Sequence, residues 1–286
     1  VKPKYLTIEA IDSFISQALM EDVGSGDHSS LAAVPASAKS KAQLLIKGEG
    51  ILAGLELASL IFYTVDPSLK VTNKLKDGDQ VSFGDVGLIV EGSARSILTS
   101  ERLVLNCMQR MSGIATYTKS LRDLIKSTKA ELLDTRKTTP NFRLMEKWAV
   151  AIGGGTNHRF GLYDMVMLKD NHNDFCGGIG KAIRQTRAYL EEKKLDLKIE
   201  VETRNLKEVQ EVLDTGGVDV IMLDNMMPSV MKEAINMIKG ICKIEASGGI
   251  TESNIAEVAE CGVDFISVGA LTHSIKSMDI SLKAMK

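Results

Sequence analysis

After Lys129 the chain repeats one pattern six times, a short apolar run that ends in polar or glycine residues. The runs are "AELLDTRK", "YDMVMLKDN", "LKIEVETR", "VDVIMLDN", "CKIEASGG" and "DFISVGAL". Helical-looking stretches such as "GIGKAIRQTRAYLEEK", "NLKEVQEVLDTG", "SVMKEAINMIKG" and "SNIAEVAECG" separate several of them. Runs this short and apolar read as strands buried on both faces. Their alternation with helices, roughly every 20–35 residues, implies parallel strands joined by right-handed crossovers. A closed α/β barrel and an open doubly wound sheet share this local pattern, and the number of strands favours the barrel.

The preceding part reads differently. With 286 residues there is chain for about two domains. From Thr7, a helix cap, Ile8, Ile11, Phe14, Ile15, Ala18 and Leu19 recur at helical spacing. "EDVGSGDHSS" ends that regularity, and "KAQLLIKGEGILAG" reads as a strand entering a glycine-rich turn before the helix "LELASLIFYTV". Asp-Gly and Gly-Asp pairs between alternating stretches in "KVTNKLKDGDQVSFGDVGLIVEG" signal hairpins. "SILTSERLVLNCMQRMSGIATYTKSLRDLIKS" offers two helices, with Gly113 as the interruption. The first hundred or so residues are therefore expected to be α+β.

Parallel strands deliver all their C-terminal ends to one rim, where barrel enzymes build their sites. Those ends carry Arg136 and Lys137, Lys169, Glu202, Asp224, Ser247 to Gly249, and Gly269. "ASGGI" and "SVGAL" permit close backbone approach to a phosphate, with a helix expected from near Thr251; the alternative is a pair of tight turns. Glu202 and Asp224 offer oxygen ligands suited to Mg²⁺, or else belong to a structural ion-pair network. Glu200, two residues before Glu202, faces the same side and needs a partner such as Lys169 to stay charged.

Charge is concentrated in one place. Between Arg136 and Arg159 lie five Lys or Arg residues and His158, against the single acid Glu146, in a chain of net charge −2. Arg136, His158, Arg159 and Lys169 suit a small, highly anionic ligand, because Arg grips carboxylates bidentately and Lys acts as a point charge. Arg143 and Lys147 serve either this cluster or solvent, and His28 reads as a turn or surface residue. The near-neutral balance argues against nucleic-acid binding. Gly153 to Gly155 lack the G-x-G-x-x-G spacing of a dinucleotide fingerprint.

Cys107, Cys176, Cys242 and Cys261 show neither C-x-x-C pairing nor zinc-ligand spacing, and Cys107 and Cys242 read as buried thiols. No apolar run reaches the roughly 18 residues of a membrane span. Glu9 and Asp12 interrupt any signal-like segment, so the expected address is the cytosol.

Taken together, "EDVGSGD", "ARSILTSERLVLN", "DTRKTTPNFR", "EKWAVAIGGGTNHRFGLYDMVMLKDNH", "IEVE", "VIMLDN", "EASGGI" and "SVGALTHS" resemble the quinolinate phosphoribosyltransferase family over nearly the whole chain. Asn141 stands where that family usually has glycine. The resemblance implies an N-terminal α/β sandwich, residues 1–112, joined by the C-terminal tail 271–286, and an incomplete α/β barrel of six to seven parallel strands, residues 113–270. It implies transfer of phosphoribosyl from phosphoribosyl pyrophosphate to quinolinate with Mg²⁺, giving nicotinate mononucleotide, pyrophosphate and CO2 in NAD biosynthesis.

By the same resemblance, Arg136, His158, Arg159 and Lys169 bind the quinolinate carboxylates, and Lys137 lies between quinolinate and the phosphoribosyl donor. Glu202 and Asp224 hold ribose hydroxyls and metal, while Ser247, Gly248, Gly249 and Gly269 take the 5′-phosphate. Arg102 reaches into the site of a neighbouring subunit, so the expected unit is a homodimer or a larger assembly of them. The rival readings are a same-fold phosphoribosyltransferase for nicotinate or another ring acid, and a non-catalytic nucleotide-binding barrel.

Overall fold

A computed structural model describes residues 3–285 and forms two compact units. One gathers the described residues of Val1–Lys119, Thr138–Gly154 and Ala270–Lys286; the other comprises Ser120–Lys137 and Gly155–Gly269. Compactness thus groups the chain differently from the expected 1–112 and 113–270 division, placing 138–154 with the first unit. Val1, Lys2 and Lys286, the outermost residues of that division, lie outside the described residues.

The first unit is built from helices α1 (Ile8–Val23), α2 (His28–Ala33), α3 (Leu55–Val65), most of α4 (Ala94–Leu124), α5 (Arg143–Ile152) and the last helix, α11 (Ala270–His273). Its strands are β1 (Lys39–Ile46), β2 (Gly50–Ile51), β3 (Lys70–Asn73), β4 (Gln80–Val81), β5 (Val86–Ser93) and the last strand, β12 (Ile280–Ala284). Thr7 caps α1 and Asp27 caps α2, each side chain accepting a backbone N–H of the first turn.

The main sheet of this unit is antiparallel, in the order β12-β1-β5-β3, while β2 pairs with β4. The expected hairpin therefore splits, since β3 pairs with β5 and β4 goes to β2. Ala42, Leu44 and Ile46 alternate onto the buried face of β1, and Leu282 and Ile280 of β12 stand opposite the last two. Full burial of each such Leu or Ile contributes about 1.5–3 kcal/mol, which fixes the register by face.

Gly113 does not interrupt anything: α4 runs unbroken from Ala94 to Leu124. A Cβ at Gly113 would collide with the Lys276 carbonyl oxygen and lie 2.8 Å from Ile275 Cγ2. Glycine is needed there for close approach of two segments, not for a turn.

The second unit holds β6 (Glu131–Leu133), β7 (Val166–Leu168), β8 (Ile199–Thr203), β9 (Val220–Asp224), β10 (Lys243–Ser247) and β11 (Phe265–Ser267). Helices α6 (Asp170–Cys176), α7 (Ile179–Lys193), α8 (Leu206–Thr215), α9 (Pro228–Ile238) and α10 (Ile255–Glu260) alternate with them. All six expected runs are strands, and they form one parallel sheet in the order β6-β11-β10-β9-β8-β7. The first strand pairs with the last, as in a barrel, but among the described residues no ladder joins β6 to β7. The second unit is thus an incomplete α/β barrel, and the antiparallel sheet belongs to the first unit.

Every residue of β8 is buried, as are the first four of β9, which matches the apolar runs expected of strands covered on both faces. The four cysteines are free; Cys107 is buried as expected, whereas Cys242 is partly exposed. No helix among the described residues is long and apolar enough to cross a membrane.

Candidate active site

Nine of the twelve residues expected at the site stand at or just after the C-terminal ends of the second unit's strands, while His158 and Arg159 lie in the segment that precedes β7. Lys169 directly follows β7, Glu202 lies near the end of β8, Asp224 ends β9 and Ser247 ends β10. Arg136 and Lys137 follow β6 by three and four residues, the first half-buried and the second exposed. Gly269 follows β11 by two residues. Arg102 belongs to the first unit and is exposed on α4.

Lys169 donates from Nζ to Glu202 Oε2 at 2.9 Å; the lysine side chain is half-exposed while the acid is almost covered. Lys169 is therefore the partner of Glu202, not of Glu200 as expected. Strand direction accounts for this: Leu168 is in register with Val201, so the residue after β7 emerges beside Glu202.

The Asp224 carboxyl is held above its ordinary pKa, first by burial and further by the charge of Glu202, while a hydrogen bond from Asn225 opposes the rise. That bond runs from Asn225 Nδ2 to Asp224 Oδ2 at 2.7 Å. Glu202 and Asp224 thus sense each other as like charges and leave negative potential that a hard cation would neutralise. The donor set, carboxylate oxygens at a strand-end rim, fits Mg²⁺.

On the basic side, Arg136 and Arg159 share a partly buried region that the acids Glu200 and Asp164 also reach. Arg159 has its pKa lowered by burial first and then by the charge of Arg136, which sets two guanidiniums within electrostatic reach of each other. Arg159 Nη1 donates to the Met165 carbonyl oxygen at 3.1 Å. Like charges held together in partial burial favour an anion between them.

His158 is fixed on every side. Its backbone N–H donates to Asp134 Oδ1 at 2.8 Å, and Asn157 Nδ2 donates to the other oxygen of that fully buried acid at 2.6 Å. Nε2 lies 3.0 Å from Glu200 Oε2 and 3.3 Å from Glu245 Oε2. Nδ1 accepts the Arg159 backbone N–H at 2.7 Å. Burial alone would lower the ring's pKa, but hydrogen bonds to the two acids outweigh it and push it up to about 10. Burial first, then the charge of Glu245, raises Glu200 above the ordinary carboxylate range, to about 7.

His158, Glu200 and Glu245 bring ligand-type atoms within 4.8 Å of one another, the one such group of three among the described residues. A metal on Nε2 needs that nitrogen's lone pair and moves the ring proton to Nδ1, directly against the Arg159 N–H. The arrangement suits a proton at Nε2.

The two glycine-rich ends meet as expected of adjacent parallel strands, with Ser267 Oγ donating to Ser247 Oγ at 3.0 Å. Gly248 and Gly249 adopt φ values of +87° and +62°, which turn the chain sharply after β10. The expected helix near Thr251 begins later, at Ile255. Asn254 holds the intervening turn, accepting the Thr251 N–H at 2.8 Å and donating to the Gly249 carbonyl oxygen at 2.9 Å. Asn and Thr offer local hydrogen bonds that compete with helix, so the turn persists.

Outside this rim, Gly153 caps α5, where a Cβ would strike the Ala115 backbone, and Asn141 has φ +62°. Asparagine visits that left-handed region more readily than other non-glycine residues, which lets it replace glycine there. Three residues of the second unit escaped the sequence reading, Asp134, Glu245 and Asn225. Glu245 had a visible signal: it is an acid inside an apolar run, two residues before Ser247 and thus on its face.

Known proteins are similar to this chain over nearly its whole length. Residues 27–112 match the family model of the quinolinate phosphoribosyl transferase N-terminal domain, and 114–283 that of its C-terminal domain. The chain is 47% identical to quinolinate phosphoribosyltransferase [decarboxylating] 2b, mitochondrial, of Nicotiana tabacum, over 99% of this chain and 84% of that protein. It is 38% identical to the probable nicotinate-nucleotide pyrophosphorylase [carboxylating] of Bacillus subtilis (strain 168), over 95% of this chain and 92% of that protein. A crystal structure of NadC from Streptococcus pyogenes superposes with a TM-score of 0.91 at 42% identity, covering 98% of this chain and 99% of that one. With both domains matched and such relatives aligned over nearly the whole of this chain, it belongs to the quinolinate phosphoribosyltransferase family.

Proposed function

We propose that this protein transfers the phosphoribosyl group of phosphoribosyl pyrophosphate to the ring nitrogen of quinolinate, releasing pyrophosphate and CO2 and leaving nicotinate mononucleotide. The observation that carries the reading is the partly buried Arg159, whose pKa is lowered first by burial and then by the charge of Arg136, a setting in which an anion between the two guanidiniums is stabilised. Quinolinate has two adjacent carboxylates, and a pocket that strips their water must return that stabilisation with cations. Arg136, His158, Arg159 and Lys169 form that basic wall, and Lys137 serves the boundary between the two substrates.

The Ser247–Gly249 turn and Gly269 offer backbone N–H groups to the 5′-phosphate, and Glu202 and Asp224 face the ribose hydroxyls. The same two acids would hold Mg²⁺, which when bound offsets the charge developing on the departing pyrophosphate. Held in line, the pyridine nitrogen forms the N–C1′ bond as the C1′–O bond breaks and its electron pair leaves with pyrophosphate. The resulting pyridinium draws in the electrons of the C2–carboxylate bond; CO2 departs and C2 takes a proton. Through these steps the chain orients the reactants and screens their charges, with no covalent intermediate.

The functional unit is proposed to be a homodimer, with exposed Arg102 offered to the site of a second copy. Incubating the protein with both substrates and Mg²⁺ should release CO2 and pyrophosphate in equal amounts, while nicotinate in place of quinolinate should be a poor acceptor. Equal turnover of nicotinate removes the dicarboxylate specificity, and binding without turnover makes the protein a ligand-binding barrel.

A further inference from the structure

We infer that Glu146 is a positioning residue for Lys137: locked in place by Arg110, its carboxylate fixes Thr139 and thereby the segment leaving β6 that carries the lysine. The inference rests on the reading of Lys137 as the group between the two substrates, and it adds what holds that group in place.

Lys137 has little regular structure around it. It is exposed, lies four residues past β6 outside any helix or strand, and donates its backbone N–H to Thr135 Oγ1 at 3.1 Å. A lysine ammonium rides on a flexible four-carbon stem, so its reach is set by where the backbone is held. The chain enters the first unit at Thr138, and α5 holds both of the next residues. Arg143 Nε donates to Thr138 Oγ1 at 2.9 Å. Thr139 donates twice to Glu146, from its backbone N–H to Oε2 at 3.1 Å and from its hydroxyl to Oε1 at 2.9 Å.

The anchor itself is fixed. The Glu146 side chain is fully buried, and Oε1 also accepts Arg110 Nε at 3.0 Å and Nη2 at 2.8 Å. Rotating the carboxylate away from these donors would leave a buried acceptor unmet. These bonds do not serve as a helix cap. The open N–H groups of α5 follow Phe142, its capping residue, whereas Glu146 reaches back to Thr139, three residues before that cap. The acid therefore fixes the approach to the helix, which is the exit from β6. Arg110 also holds the Thr272 carbonyl oxygen of α11, so a change at Arg110 disturbs more than one segment. Glu146 and Thr139 are the specific handles.

Glu146→Gln separates the two duties of the acid. The amide keeps one oxygen for the guanidinium and turns its NH2 toward the Thr139 N–H, setting donor against donor. Hydrogen exchange followed by mass spectrometry should then show the amides of residues 137–139 exchanging about tenfold faster or more, with residues 147–152 of α5 unchanged. Unchanged exchange at 137–139, or an equal rise throughout α5, overturns the inference. Pyrophosphate release should fall about tenfold or more in Glu146→Gln. In Thr139→Val, where the exposed site keeps the fold secure, it should fall about threefold or more. In a Lys137→Ala background each change should cost less than about twofold, because its effect runs through the missing ammonium. A full loss repeated in that background places the effect elsewhere and overturns the inference. Where Lys137→Ala turns over too slowly to measure, the exchange result decides alone. If wild-type protein neither binds nor turns over quinolinate, the functional reading fails, whereas exchange at 137–139 still decides whether Glu146 holds the Lys137 segment.

Discussion

The Asn225 side chain occupies the space that any Cβ on Gly248 would need, its Nδ2 lying 2.6 Å from that position. The same Asn225 donates to Asp224 Oδ2 and, through its backbone N–H, to the Ser247 carbonyl oxygen at 2.8 Å. The acid that ends β9 and the turn that ends β10 are therefore one mechanical unit. Gly248→Ala must both strain a backbone at φ +87° and displace Asn225. Strain of about 1–3 kcal/mol should raise the phosphoribosyl pyrophosphate KM roughly tenfold or more. Steady-state kinetics with that substrate varied will show it, and an unchanged KM would detach this turn from the donor.

Lys169 should matter beyond its contact with Glu202. Losing one charge-assisted hydrogen bond costs about 1.5–3 kcal/mol, so Lys169→Ala should lower kcat/KM for quinolinate by roughly ten- to a hundredfold. Lys169→Arg should restore little, because a planar fork does not replace a compact ammonium. Full activity in either variant would take Lys169 out of the pocket.

In the first unit, Arg110 donates through Nε at 3.0 Å and Nη2 at 2.8 Å to Oε1 of the fully buried Glu146, and also bonds the Thr272 carbonyl oxygen. Thr139 completes the acid's shell with its backbone N–H and hydroxyl, at 3.1 and 2.9 Å. Arg110→Ala strands that carboxylate and should cost about 3 kcal/mol of stability, read from urea unfolding. A loss below about 0.5 kcal/mol, the level of an exposed ion pair, would show that water or another group compensates.

Asp264, just before β11, ties that strand's start to β10 and to the segment entering β6: Oδ1 accepts from Lys129 and Lys243, at 3.1 and 3.0 Å, and Oδ2 accepts the Ile244 N–H at 3.0 Å. Burial raises its pKa, but these donors outweigh burial and hold it below the reference 3.8. A depressed folded-state value means the stabilisation exists above the unfolded value and is lost as pH falls through the folded one. Asp264→Asn should thus be less stable than wild type at about pH 7, with the gap closing as pH falls below the reference 3.8 and through the lower folded-state value. A gap that stays constant across that range would contradict the assignment.

If sites are shared, an Arg102→Ala subunit and a Lys137→Ala subunit should complement each other. Random pairing leaves half the dimers mixed, each with one intact site, so activity should return to about a quarter of wild type. No recovery despite verified mixed dimers would confine each site to its own chain.

Much of this architecture is legible in local sequence. Six apolar runs ending in charge or glycine require parallel strands, and parallel strands require one rim, so the placement of Lys169, Glu202, Asp224 and Ser247 follows from their positions in the runs. Gly113 was misleading because a glycine's lack of a Cβ serves a turn and a close approach equally, and only the neighbouring chain at Ile275 and Lys276 distinguishes them. The late start of α10 depended on Asn254 preferring the Thr251 N–H and the Gly249 carbonyl to helical bonds.

What sequence alone determined was periodicity and end chemistry, which are properties of a few consecutive residues: the strands, the rim, and the kinds of group the rim presents. Tertiary structure decided the partners. Whether Lys169 meets Glu200 or Glu202, and whether His158 meets solvent or two buried acids, depends on register between strands far apart in the chain. Side-chain pairing across a sheet is set by that register and by the face each residue takes, and no run of neighbours encodes either on its own.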